Sequence, residues 1–337
     1  MLATVWFYIW GLLWAIYFVL DGFDLGLGIL LPLVSREDKE RRVVLNSMGP
    51  FWDGNEVWLI TAGGVTFAAF PGAYATMFSA LYTPLMLLLF GLILRGVSLE
   101  FRGKVDHPVW RRTWDWCLFL GSFLPALLFG VAFANIFKGL PFDAGGISHG
   151  TLLALLNPYG LAGGLLFLAL FAVHGALWLA IKAEGPLHER AASLAGALWQ
   201  PLVVLAAIFL VSSAFETRLY DNYLRHRALF IVPLLALLGL AGSRLFMAQR
   251  AWWKAWFASG LTIASATIFG VVGLYPNLLP SSAAPTASRT IYNCASSPLT
   301  LKIMLGVALV AVPLVIAYQT WVYFLFRDKV QEKDLHY

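Results

Sequence analysis

The run Leu161-Ala162-Gly163-Gly164-Leu165-Leu166-Phe167-Leu168-Ala169-Leu170-Phe171-Ala172-Val173-His174-Gly175-Ala176-Leu177-Trp178-Leu179-Ala180-Ile181 carries no charged side chain until Lys182 closes it. At 1.5 Å of rise per residue it crosses a hydrocarbon core about 30 Å thick as one α-helix. Nine such stretches lie near residues 5–33, 51–70, 74–94, 115–137, 158–182, 194–214, 228–247, 252–275 and 301–326. The 337 residues are 60% hydrophobic and 12% charged, with a mean hydropathy of +0.76, which leaves too little polar surface for a water-soluble domain. The period is helical rather than the alternation of a membrane barrel, so each span satisfies its own backbone amides. The expected fold is an all-α integral membrane protein with about nine transmembrane helices, arranged as two four-helix bundles plus one peripheral C-terminal helix. Residues 1–337 read as a single polytopic membrane domain.

Basic residues set the orientation, because Lys and Arg in short loops stay cytoplasmic during insertion. Six of the 23 (Lys138, Arg218, Arg225, Arg227, Arg289 and Lys302) fall on one side, and the other 17 follow spans 1, 3, 5, 7 and 9. The N-terminus is therefore expected outside and the C-terminus in the cytoplasm. The net charge of +5 follows from loop topology and gives no argument for nucleic acid. The first span lacks a basic leading region and a small-residue cleavage site, and reads as a retained helix. Cys117 and Cys294, the only two cysteines, fall on opposite sides and suit packing rather than a disulfide or a metal framework.

Against this apolar background the acids stand out. Trp52-Asp53-Gly54-Asn55-Glu56-Val57-Trp58-Leu59-Ile60 places two carboxylates three residues apart at the start of span 2, on one helical face. Asp21, Asp24, Glu100 and Asp115 fall at a similar depth near the inner ends of other spans, and Arg95 and Arg102 enter the same layer. A carboxylate facing lipid costs about 2.5–3.5 kcal/mol, so these groups face protein, water or a proton path. Two readings fit. In one, Arg95, Glu100 and Arg102 join the acids in an ion-pair network that staples spans 1 to 4. In the other, Asp53, Glu56, Asp21, Asp24 and Asp115 form a route by which protons enter from the cytoplasm. Gly22 and Gly26 in addition make a small-residue face for a close helix crossing.

No redox centre is evident in the chain. His107, His149, His188, His226 and His336 sit in loops, span ends or the tail, and only His174 lies within a span. A membrane haem needs axial ligands on facing helices, and a lone intramembrane histidine more often packs through hydrogen bonds. No Cys/His cluster suggests iron–sulfur or zinc, and no Gly-rich loop follows a strand. The chain by itself reads as cofactor-free.

Asp21-Gly22-Phe23-Asp24-Leu25-Gly26, Glu40-Arg41-Arg42 with Asn46-Ser47, the stretch from Trp52 to Gly64, and Trp114-Asp115-Trp116 together resemble subunit II of the cytochrome bd quinol oxidases. The likeness continues through Gly121-Ser122-Phe123, Gly130-Val131-Ala132-Phe133, Leu156-Asn157-Pro158, Pro280-Ser281-Ser282 and Leu299-Thr300-Leu301. It implies a prokaryotic cytoplasmic-membrane subunit without haem of its own, partnered by a subunit I that carries haem b together with haem d or a further haem b. That partner oxidises quinol and reduces oxygen to water with cytoplasmic protons. The resemblance places the inner proton route at Asp53 and associates a hydrophobic oxygen route with Trp58. Further implied partners are small single-helix accessory subunits, membrane lipid, and a structural quinone or lipid in an apolar groove. Glu56 departs from the glutamine that relatives carry there.

A proton-coupled permease is the competing function, since buried acids and Gly-interrupted helices also mark transporters. A purely structural anchor is the third.

Overall fold

The computed structural model describes residues 1–148, 150–331 and 335; His149, Lys333 and His336 lie outside the described residues. Thirteen α-helices occur among them: α1 Leu2–Val34, α2 Asp38–Met48, α3 Trp52–Ala69, α4 Pro71–Ala80, α5 Tyr82–Phe101, α6 Pro108–Lys138, α7 Leu152–Leu155, α8 Pro158–Lys182, α9 Gly185–Glu216, α10 Tyr220–Arg225, α11 Ile231–Ala248, α12 Trp252–Leu274 and α13 Pro298–Leu325. Eight are long and apolar enough to cross a membrane. The ninth expected span is α3, whose first turns carry Asp53 and Glu56.

Helices α1, α3, α5 and α6 pack together, as do α8, α9, α11 and α12. The two groups join where α1 meets α8 and α12 and where α6 meets α8. Glycine permits the central crossing. A Cβ on Gly26 would stand 1.9 Å from the Phe171 carbonyl oxygen, so only glycine admits α8 at that distance. A Cβ on Gly121 of α6 would likewise meet the backbone of Arg95 at 2.7 Å, which lets α5 approach closely. Helix α13 packs lightly on α1 and α3 and is the least buried of the long helices.

The span expected over 74–94 is displaced. The chain breaks at Phe70, restarts at Pro71 and breaks again near Leu81, and α5 then runs on to Phe101. Hydropathy ends the span before Arg95, but burial of that guanidinium against carboxylates lets the helix continue. The amphipathic α2 had no counterpart among the expected spans. Its signal is local: Glu37 and Glu40 form a capping box.

The two long connections, residues 138–157 and 276–300, meet in a cap at one end of the bundle. β1 (Asn277–Leu279) pairs antiparallel with β2 (Arg289–Thr290), and Leu140 exchanges backbone bonds with Pro280 and Ser282. On the opposite face the chain after α13 turns back. The Lys182 amino group lies over the rings of Phe51 and Trp178 and donates to the carbonyls of Phe326 and Asp328, while Val330 N–H donates to Lys182 O.

Candidate functional site

The acids and arginines of the inner layer separate into two networks. The deeper one is centred on Arg95 of α5, which is fully buried. Its Nη2 donates to Asp21 Oδ1 at 2.6 Å and to Glu56 Oε1 at 2.5 Å. Asp21 and Asp24, three residues apart on α1, are also fully buried. Asp24 Oδ2 accepts from Asn55 Nδ2 at 2.7 Å, and the same amide group donates to Leu20 O at 3.1 Å. Asn55 Oδ1 accepts from the Tyr323 hydroxyl at 3.0 Å. Helices α1, α3, α5 and α13 thus each contribute one or two polar side chains to a pocket inside an apolar bundle.

The charge count in this cluster is uneven. Three carboxyls face one guanidinium, and full ionisation would leave two negative charges in excess in a medium that penalises even one. Four of its buried atoms, Asp21 Oδ2, Asp24 Oδ1, Arg95 Nε and Arg95 Nη1, have no partner among the described residues. Buried polar atoms are normally satisfied, often by ordered water. Polarity, carboxyl excess and unsatisfied valence therefore coincide in one place.

Asp53 stands apart. It is exposed in the first turn of α3, one turn before the half-buried Glu56. Glu56 links the two environments, since its neighbours are Asp53 on one side and Arg95 and Asp21 on the other.

The second network lies nearer the helix ends, and in it three arginines meet three aspartates. Arg102 meets Asp115 through Nε at 2.6 Å and Asp38 through Nη2 at 2.7 Å, and Arg41 meets Asp115 at 2.8 Å. Arg111 adds Asp38 at 3.3 Å and Asp106 at 2.8 Å. Asp38 is held below the usual carboxylate range. Burial alone would raise it, but the Arg102 hydrogen bond and the charges of Arg102, Arg111 and Arg42 outweigh that. Asp115 thus sits in this network rather than the Arg95 cluster. Glu100 is exposed, makes no ion pair among the described residues, and lines a surface pocket with Lys104. Thr61 donates to the carbonyl of its own helix at Val57.

Trp58 is buried, and its Nε1 donates to Gln319 Oε1 at 2.7 Å. The Gln319 amide in turn donates to Gly54 O at 2.7 Å. Trp58 lines an apolar groove of about 490 Å³ with Leu12, Ile16, Trp256, Phe257 and Tyr323. Sequence reasoning missed Tyr323 and Gln319. The one signal was an amide and a phenol four residues apart on a span with no other use for polar groups.

The His174 ring does not fit a haem. Nδ1 pairs with Ser259 Oγ and Nε2 with Val19 O, both at 3.1 Å, and the ring stacks on Trp256 at 5.0 Å. Both nitrogens are engaged and one face is covered, so no coordination site remains at this residue. Among the described residues, no group of three or more His, Cys, Asp or Glu could hold a metal ion.

Comparison with known proteins covers the same stretches. The family profile described as Cytochrome bd terminal oxidase subunit II matches residues 2–326. The Cytochrome bd ubiquinol oxidase subunit 2 of Bacillus subtilis (strain 168) is 36% identical over 337 residues, covering 99% of this chain and 98% of that protein. The Cytochrome bd-I ubiquinol oxidase subunit 2 of Escherichia coli (strain K12) is 34% identical over 369 residues, covering 99% and 96%. A chain in the structure of bd oxidase from Geobacillus thermodenitrificans shares the fold, with a TM-score of 0.78 at 16% identity over 97% of this chain and 99% of that one.

Proposed function

The chain belongs to the cytochrome bd terminal oxidase subunit II family, and from that premise we propose that it serves a quinol-oxidising, oxygen-reducing complex by carrying cytoplasmic protons toward a haem-bearing subunit I. As a member of that family it is a multi-pass prokaryotic membrane protein and part of an oxidoreductase complex whose partner is a subunit I. The uneven Arg95 cluster carries the proposal. A purely structural network would match its charges, as the Arg102 network does, whereas a carboxyl excess with unsatisfied atoms suits groups that exchange protons.

In this reading Asp53 receives protons at the surface, Glu56 relays them past Arg95, and Asp21 and Asp24 hold them within the bundle. Asp115 shapes the opening through Arg102 and Arg41. Haem b, and haem d or a further haem b, belong to subunit I, in keeping with His174, the one buried histidine among the described residues, having both ring nitrogens engaged. The N-terminus faces outward and the C-terminus the cytoplasm, which puts Asp53 on the proton-supplying side. Oxygen travels along the apolar groove beside Trp58. A quinone tail or lipid chain occupies apolar space between Phe133, Phe167, Leu237 and Ile263, and accessory single-helix subunits complete the assembly.

Asp53→Asn tests the route. Quinol-driven oxygen uptake should fall about tenfold or more, within the range that a lost proton-transfer group produces, while haem content and subunit stoichiometry stay at the parent level. Unchanged turnover in an intact complex removes Asp53 from the route, and joint loss of assembly and haem assigns it a structural role. The permease alternative requires transport without a haem partner.

A further inference from the structure

Helix α13 meets the bundle at few polar points, and two of them fall on the stretch from Trp52 to Trp58. Gln319 clasps Gly54 and Trp58. Tyr323, one turn later, reaches Asn55 alone. Its ring is tightly placed, stacked on Phe51 at 4.5 Å and edge-on to Trp178 at 5.9 Å and Phe23 at 6.4 Å. The chain just beyond is held by Lys182. A hydroxyl fixed in this way determines the orientation of the amide it meets.

A primary amide has one accepting end and one donating end. With the Tyr323 hydroxyl donating to Asn55 Oδ1, the amide nitrogen must face Leu20 O and Asp24 Oδ2, at 3.1 and 2.7 Å. A flipped amide would set its carbonyl oxygen against the Asp24 carboxyl, a contact that favours a proton on that carboxyl and disfavours its loss. We propose that Tyr323 is a positioning residue for proton uptake, acting on Asp24 through the Asn55 amide. The inference rests on the proton-uptake reading above and adds to it a control exerted by a helix that contributes little packing.

The charged and titratable groups around Asp24 are few. Asp21 on α1, Arg95 on α5 and Glu56 on α3 act on it electrostatically, the buried Tyr17 of α1 bears on those same three groups, and Tyr323 from α13 lies within reach of it. On α8, His174 turns to Ser259 and Val19, and Lys182 to Phe326 and Asp328. On α6, Asp115 turns to Arg102 and Arg41. Of these, Tyr323 alone touches the Asn55 amide that donates to Asp24.

Infrared difference spectra of the assembled oxidase, followed across pH, read the carboxylic C=O band that Asp24→Asn abolishes. Tyr323→Phe keeps the ring and its stacking, and should move the titration midpoint of that band, together with the acid limb of the oxygen-uptake profile, by about one pH unit, the size of one hydrogen bond to a charged group. Gln319→Leu removes two bonds between α13 and the same stretch but none to Asn55, and should leave the midpoint in place. Asn55→Ala should reproduce the shift, and Tyr323→Phe added to it should have no further effect. An unmoved midpoint in Tyr323→Phe, an equal shift in Gln319→Leu, or a parent protein in which no Asp24 band titrates overturns the inference. If Asp24→Asn and Asp53→Asn instead leave turnover intact, the proton-uptake reading fails, and the band shift still decides whether Tyr323 governs Asp24.

Discussion

Two charge networks a few turns apart use the same residue types to different ends. Around Arg102, three arginines meet three aspartates near the helix ends, and Asp38 and Asp106 keep contact with water. Around Arg95, one arginine meets two carboxyls, with the buried Asp24 beside them on Asn55, and four buried atoms lack partners among the described residues. The first arrangement is closed and its charges cancel. The second has more carboxyls than cations. In the proposed reading, depth and stoichiometry, more than residue type, separate a staple from a proton-handling site.

The largest effect should come from removing the sole cation of the deeper network. Arg95→Met leaves Asp21, Asp24 and Glu56 together with no positive partner, and taking one member from a buried pair typically costs about 3–5 kcal/mol. The expected outcome is loss of most of the assembled complex, read as the yield of haem-containing oxidase after solubilisation. Arg102→Met should cost less, because Arg41 still reaches Asp115 and Arg111 still reaches Asp38. Equal losses in the two variants would mean that the networks do not differ in the way their geometry suggests.

The next effect is a dependence on pH at two carboxyls of α2, Asp38 in the Arg102 network and Glu40 paired with Arg190. Asp38 and Glu40 are both held below the usual carboxylate range. For Glu40, burial raises it, but the Arg36 backbone N–H, the Arg190 guanidinium and the Glu37 N–H bring it down. A carboxyl lowered on folding contributes stability that is present above its unfolded value, about 4, and is lost as pH falls through the lower folded value. The midpoint of thermal unfolding should therefore drop as the medium is acidified below about pH 4. Asp38→Asn together with Glu40→Gln should flatten that drop. A double variant with the parent's acid slope would place the acid-sensitive groups elsewhere.

Much of this was legible in the chain because hydrocarbon is a demanding solvent. Apolar run length marked the long helices, though α6 and α9 begin at Pro108 and Gly185, well before the runs at 115 and 194, and the expense of a buried charge singled out Asp21, Asp24, Glu56 and Arg95 before any contact was known. Pairing was not legible. Which acid meets Arg95 and which meets Arg102 depends on helix rotation and on close approaches such as those at Gly26 and Gly121, and spacing along one helix does not report these. Asp53 and Glu56 look equivalent by spacing, yet one is exposed and the other half-buried against Arg95. Tyr323 lay 268 residues from Asn55, beyond the reach of any periodicity argument. The displaced third span has the same origin, since Arg95 ends a hydropathy window but does not end a helix whose charge is matched by its neighbours.

The smallest effect should come from the exposed pair between Arg250 and Glu189, which stand 3.3 Å apart with side chains 71% and 59% exposed. Water screens such a pair, and fixing two long side chains offsets most of what the attraction contributes, so exposed pairs are worth roughly 0.2–1 kcal/mol. Glu189→Gln should leave the unfolding midpoint of the complex within measurement error, and added salt should not separate the variant from the parent. The three levels then form a series in which effect follows desolvation: Arg95 buried with buried or half-buried carboxyls, Arg102 buried but bonded to a partly exposed Asp38, Arg250 in open solvent. A loss on Glu189→Gln as large as that on Arg102→Met would break the series, because Arg102 is buried and bridges Asp115 and Asp38 whereas Arg250 meets Glu189 in open solvent. The contrast between the two inner networks would then reflect how many contacts each arginine makes, and carboxyl excess would lose its standing as the mark of a proton route.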